Sequence, residues 1–294
     1  RLLSTAGRAR RIWAAITVVF VAGDLWLAYG RIHAMGYGPK PEPTRDREVL
    51  ALDGIVDGRF RIYDRGLAKF RPGVRLRIRD FGGYEDDPLG LARYRDFKNA
   101  AVRSPRLLGH ANVRYVLDGR KPKLALRAPW SKPLGGGFYR LESVAARVLY
   151  LPNARQVNDV GEAMRMLRTI EPGKGGVIAG IAPPTDVDAK PVAGQVTSFG
   201  PNHLRAEIEV PGPGVVILAE AYYPAWQATL NGKPTELYPG NGMFTAVVVP
   251  EAGRASIEMR LSPPRFYWTL PLPLLALVAL GWALWGLRRQ RSRG

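Results

Sequence analysis

Apolar residues run from Ile12 to Ala22, broken only by Thr17, and resume from Leu25 to Tyr29 after Gly23-Asp24. A second run, Phe266 to Leu287, holds 22 residues without a charge. As a helix it would reach roughly 33 Å, enough to cross a hydrocarbon core of about 30 Å. Tyr267, Trp268, Trp282 and Trp285 lie toward its ends, where amphipathic rings prefer the interface. The pattern predicts transmembrane helices over 12–30 and 264–287. For the first run the alternative is a signal peptide ending at Ala22, but no small-x-small site follows it.

Between the two runs the pattern changes twice. Residues 31–47 are polar and proline-rich, a linker. Over 48–191, apolar alternation and helical periods are mixed. Arg59–Tyr63, Val113–Leu117 and Val177–Ile181 predict strands, and Leu89–Phe97 a helix; the basic residues of Arg71–Arg79 could suggest phosphate contacts, but their alternation with Val74, Leu76 and Ile78 is read as a strand with one wet, charged face. Ser104-Pro105 and Asp159 with Glu162 predict helix starts. Residues 192–263 read as seven short strands: 195–199, 203–210, 215–219, 226–230, 236–238, 244–249 and 255–261. Asn231-Gly232 is the clearest hairpin signal. The expected fold is α+β: two membrane helices flanking an extracytoplasmic α/β module and a C-terminal immunoglobulin-like β-sandwich.

Charge sharpens the topology. The 294 residues carry 43 basic and 25 acidic side chains, a net charge of +18. Arg1, Arg8, Arg10 and Arg11 precede the first apolar run, and Arg288, Arg289, Arg291 and Arg293 follow the last. The positive-inside rule assigns both terminal segments, 1–11 and 288–294, to the cytoplasm and residues 31–265 to the outer side of a plasma membrane. The lipid bilayer becomes the expected partner and nucleic acid does not, because the middle region lies on the wrong side for it.

Candidate chemistry is sparse. With no cysteine and only His33, His110 and His203, thiol chemistry is excluded and a metal cage is not expected. No nucleophile elbow or phosphate-binding loop is present, no cofactor is expected, and no catalytic residue is assigned. Asp186-Val-Asp188 lies among prolines and is not read as a metal motif. Asp86 and Asp87, behind Glu85, could bind a cation or serve acid–base work, or form a solvated turn. Asp24 is an acid at the membrane boundary, read as a helix-packing or lid residue. Tyr222, Tyr223 and Trp226 form the densest aromatic group. They are candidates for carbohydrate contact, against the alternative that Trp226 fills the sandwich core and the tyrosines pack at its end.

The order of motifs resembles the YfhO-type family of bacterial membrane proteins. The residues are Ala219–Lys233 (AEAYYPAWQATLNGK, with Ala225 where the family usually has glycine), Asn241–Gly253, Gly83–Leu89 with Arg93-Tyr94, Asn112–Leu117 and Asp24-Leu-Trp26. The resemblance implies a polytopic protein similar to GT-C glycosyltransferases, which take sugars from polyprenyl-phosphate carriers outside the membrane. It implies that this chain, beginning at Arg1, is the C-terminal portion, that the family's catalytic acids lie elsewhere, and that this span positions an envelope-glycan acceptor or acts as a scaffold. The alternative from the residues alone is a stand-alone anchored envelope protein whose sandwich binds glycan or a partner protein.

Overall fold

The computed structural model describes residues 23, 43–68, 72–82, 91–119, 126, 129–186 and 188–262. In chain order the elements are α1 (Pro43–Leu50), β1 (Arg61–Arg65), α2 (Pro72–Arg75), α3 (Ala92–Ala101), α4 (Pro105–His110), β2 (Val113–Asp118), β3 (Ser131–Gly135) and β4 (Phe138–Leu141). There follow β5 (Val148–Leu151), β6 (Arg155–Val157), α5 (Val160–Leu167), β7 (Val177–Ala179), β8 (Val192–Gly200), β9 (His203–Val210) and β10 (Gly214–Ala221). The last are β11 (Trp226–Leu230), β12 (Lys233–Thr235), β13 (Tyr238–Gly240), β14 (Phe244–Val249) and β15 (Gly253–Leu261).

These residues are mostly β-sheet, which corrects the expected α+β class. A four-stranded sheet runs β1-β2-β4-β3, with β1 and β2 parallel. An eleven-stranded sheet runs β12-β11-β15-β9-β8-β5-β10-β14-β13-β7-β6 and curls upon itself. Strands β5 to β7, expected in a separate α/β module, belong to this same sheet, so no seven-stranded immunoglobulin-like sandwich closes on its own. No helix among the described residues is long and apolar enough to cross a membrane. Apart from Gly23, the runs 12–30 and 264–287 lie outside those residues, as do Asp24, Asp86 and Asp87.

The reason for the larger sheet is visible in β10, whose first six residues, GVVILA, are all buried. A strand apolar on both faces belongs at the centre of a sheet covered on both sides. Val215, Ile217 and Ala219 face a core shared with Phe97, Leu107, Leu108 and Leu167 from the helices. Val216 and Leu218 face the opposite core, where Tyr150 of β5 and Val247 of β14 meet Leu204, Ile208 and Ile257 of β9 and β15. Each fully buried side chain of this size contributes about 1.5–3 kcal/mol. A third cluster, around Ile55, Ile62, Leu117 and Phe138, sits on the four-stranded sheet.

Local chemistry fixes the helices. Ser104 accepts the Leu107 N–H at 3.4 Å, with Pro105 in the first turn. Asp159 accepts from Glu162 N at 2.7 Å, while the Glu162 carboxylate reaches back to Asn158 N at 2.8 Å. Gly109 is required by close approach: a Cβ there would lie 2.5 Å from the Ser143 carbonyl oxygen. Residues 71–79, expected as a strand, instead contain the short helix α2. Pro72 suits a helix start, and Arg77 takes a left-handed φ of 55° that ends the turn.

Candidate functional site

The chain between β10 and β11 builds one wall of an open groove. Tyr222 N donates to Met243 O at 2.8 Å and Trp226 N to Tyr223 O at 3.0 Å, which fold Tyr222–Trp226 into a tight turn. Ser262 N closes on Ala225 O at 3.0 Å. The β11–β12 hairpin turns on Asn231 and Gly232, both at positive φ (52° and 80°), as a type I′ turn requires. The Asn231 side chain accepts from Ser256 N at 2.8 Å and so ties the hairpin to β15.

The groove has a volume of about 750 Å³. Tyr222, Tyr223 and Trp226 line it together with Glu236, Glu258 and Arg260. Trp226 is half-buried: one side packs on the core of the curled sheet and the rest faces the groove. Register explains the polar wall, since Gln227 pairs with Arg260 across β11 and β15. Arg260 Nε donates to Glu258 Oε1 at 2.7 Å, and that hydrogen bond holds the Glu258 carboxyl below its ordinary range. Tyr238 OH donates to Glu236 at 2.5 Å, which raises the phenol's pKa.

Flat aromatic faces beside carboxylates and a guanidinium form a surface that can stack on a sugar ring and bind its hydroxyls. Among the described residues no group of three His, Cys, Asp or Glu could hold a metal ion.

A second constellation escaped the sequence reading. Arg61 of β1, Arg79 and Arg147 converge on Glu220 of β10. Arg79 Nη2 donates to Glu220 Oε1, and Arg147 Nε donates to the same oxygen at 3.2 Å. Arg61 Nη2 lies 3.5 Å from Oε2 and also donates to the Ala219 carbonyl. These side chains are only 11–17% exposed. Burial raises the Glu220 pKa, but Arg79, Arg61 and Arg147 together outweigh it, so the carboxyl ends below its ordinary value. Burial pushes Arg79 well down and Arg61 down. Arg79 was expected on the wet face of a strand. The sequence signal for the cluster was Glu220 itself, a carboxylate closing an otherwise apolar strand.

No protein-family profile and no curated protein matches the chain. Among solved structures, that of the arabinofuranosyltransferase AftD from mycobacteria is similar over 32% of this chain at 19% identity, with a TM-score of 0.26. The chain spans 8% of that protein's length.

Proposed function

We propose that this chain is the C-terminal part of a GT-C-like membrane protein that transfers sugar from a polyprenyl-phosphate carrier to a cell-envelope acceptor. In this reading the span holds the acceptor glycan and does not break bonds. The observation that carries it is the groove that brings Tyr222, Tyr223 and Trp226 beside Glu236, Glu258 and Arg260. The order of YfhO-type motifs and the arginine clusters flanking the two apolar runs support the envelope setting, with residues 31–265 outside the plasma membrane.

The groove's own charges favour an uncharged glycan. Two carboxylates face one guanidinium, so an acidic sugar would meet net repulsion. The test is saturation-transfer NMR on the full chain with two neutral oligosaccharides of different sugars and a uronic-acid oligosaccharide. Transfer to a neutral sugar that Trp226→Ala removes is the expected result. Equal transfer to all three, unaffected by Trp226→Ala, would contradict the assignment. The same groove serves a stand-alone anchored glycan-binding protein, which the absence of sugar transfer by the full-length protein would favour.

A further inference from the structure

Three guanidiniums share one carboxylate in the Arg61–Arg79–Arg147–Glu220 cluster, so two positive charges lack a partner there. No other carboxylate makes a hydrogen bond or ion pair with these arginines among the described residues. Uncompensated charge away from water is costly, and proteins retain it where a ligand supplies the counter-charge. Two nitrogens point to such a vacancy in the hydrogen bonding. Arg79 Nη1 has no hydrogen-bond partner, and Arg147 Nη2 lies 3.1 Å from Glu220 Oε1 without hydrogen-bonding geometry.

An exposed aromatic side chain abuts the cluster. Phe199 of β8 is 58% exposed, and its ring stands 4.5 Å from the Arg147 guanidinium and 5.9 Å from that of Arg79. Its ring is held there by cation–π attraction of a strength that a stronger anion contact would replace.

We propose that Arg61, Arg79 and Arg147 form a binding site for a phosphate-class dianion, with Phe199 as its movable cover. A phosphate or phosphomonoester brings two negative charges and three acceptor oxygens, which match the two unbalanced charges, Arg79 Nη1 and Arg147 Nη2; Arg61, whose Nη1 and Nη2 donate to the Ala111 and Ala219 carbonyls, contributes charge. The site is separate from the aromatic groove and shares no residue with it.

The test is calorimetric titration of the full chain in detergent with inorganic phosphate, at a pH above phosphate's second ionisation. A parallel arm measures binding to phosphatidylcholine vesicles with and without phosphatidate. Saturable phosphate binding assigns a free oxyanion, and a preference for phosphatidate vesicles alone assigns a lipid-borne phosphomonoester. Arg147→Lys, which keeps the charge but loses the planar fork, should weaken binding about tenfold, and Arg79→Gln should weaken it further. Arg254→Gln, at an exposed arginine of β15, should bind like the wild type. Phe199→Ala should speed association. Should Arg79→Gln fail to fold, Arg147→Lys carries the reading. Binding in neither arm, or binding that Arg147→Lys leaves unchanged, overturns the proposal.

Discussion

The stretch from Ala219 to Trp226 supplies two sites of opposite character. Glu220 points into a nearly enclosed cluster of arginines, while Tyr222, Tyr223 and Trp226 face an open groove. Charges in the first are shielded from water, so each is worth several times what it would be at the surface. In the groove, Glu258 and Arg260 pair in contact with solvent and stabilise little. The same short segment thus joins the four-stranded sheet to the curled sheet through buried ions, and lines an open groove just beyond. Substitutions should separate the two roles cleanly.

The largest effect is expected at Glu220. Glu220→Gln leaves three enclosed guanidiniums without their carboxylate and should cost about 3–5 kcal/mol of unfolding free energy, measured by denaturant titration. A loss as small as that of a surface pair would break the comparison, because the cluster would then be solvated. Phe97→Ala tests the apolar side of the same wall. Phe97 is fully buried and packs edge-to-face on Phe244 with centroids 5.8 Å apart. Its truncation should cost about 3–5 kcal/mol, much of it from the cavity left behind. Trp226→Ala should do the reverse of Glu220→Gln: a stability loss of about 1–2 kcal/mol but a fall in glycan affinity of tenfold or more.

The partly buried Asp80 and the buried His110, outside both sites, should leave a smaller, pH-dependent mark. Burial raises the Asp80 pKa to about 6 from an ordinary 3.8, so the folded state binds the extra proton between those values. Stability from this group falls as pH rises through that window. Burial lowers His110 to about 4 from an ordinary 6.5, so the unfolded state binds the extra proton there and stability rises with pH. The two slopes oppose each other over nearly the same range. Asp80→Asn should therefore unmask a rise in stability between about pH 4 and 6.5, read as thermal midpoint against pH. An unchanged profile would show that Asp80 is not shielded. Arg254→Gln is expected to change the thermal midpoint least, since the Arg254 side chain is 70% exposed.

Much of this was legible from local patterning. Strands β9, β11 and β14 were read with their observed limits, and the caps at Ser104 and Asp159 form as the residue types dictate. Alternation and capping are decided within a few residues, so the sequence carries them directly. Sheet closure is different. The pairing of β5 with both β10 and β8 joins residues 148–151 to strands more than forty positions away, and no local signal reports it. The aromatic residues lining the groove stand close together in sequence, whereas Glu236, Glu258 and Arg260 reach it only through the β11 hairpin and the β15 register. The arginine cluster was hidden for the same reason. Its members come from positions 61, 79, 147 and 220, and alternation in the segment around Arg79 suggested a wet strand face.

The central claim, that the groove at the β10–β11 turn holds a neutral glycan, is tested most directly by calorimetric titration of the full chain and its Trp226→Ala variant. The titrants are two neutral oligosaccharides of different sugars. Saturable binding by the wild type, lost in Trp226→Ala while its unfolding transition stays cooperative, is the predicted result. Absence of binding to both sugars, or equal affinity in wild type and variant, would contradict it.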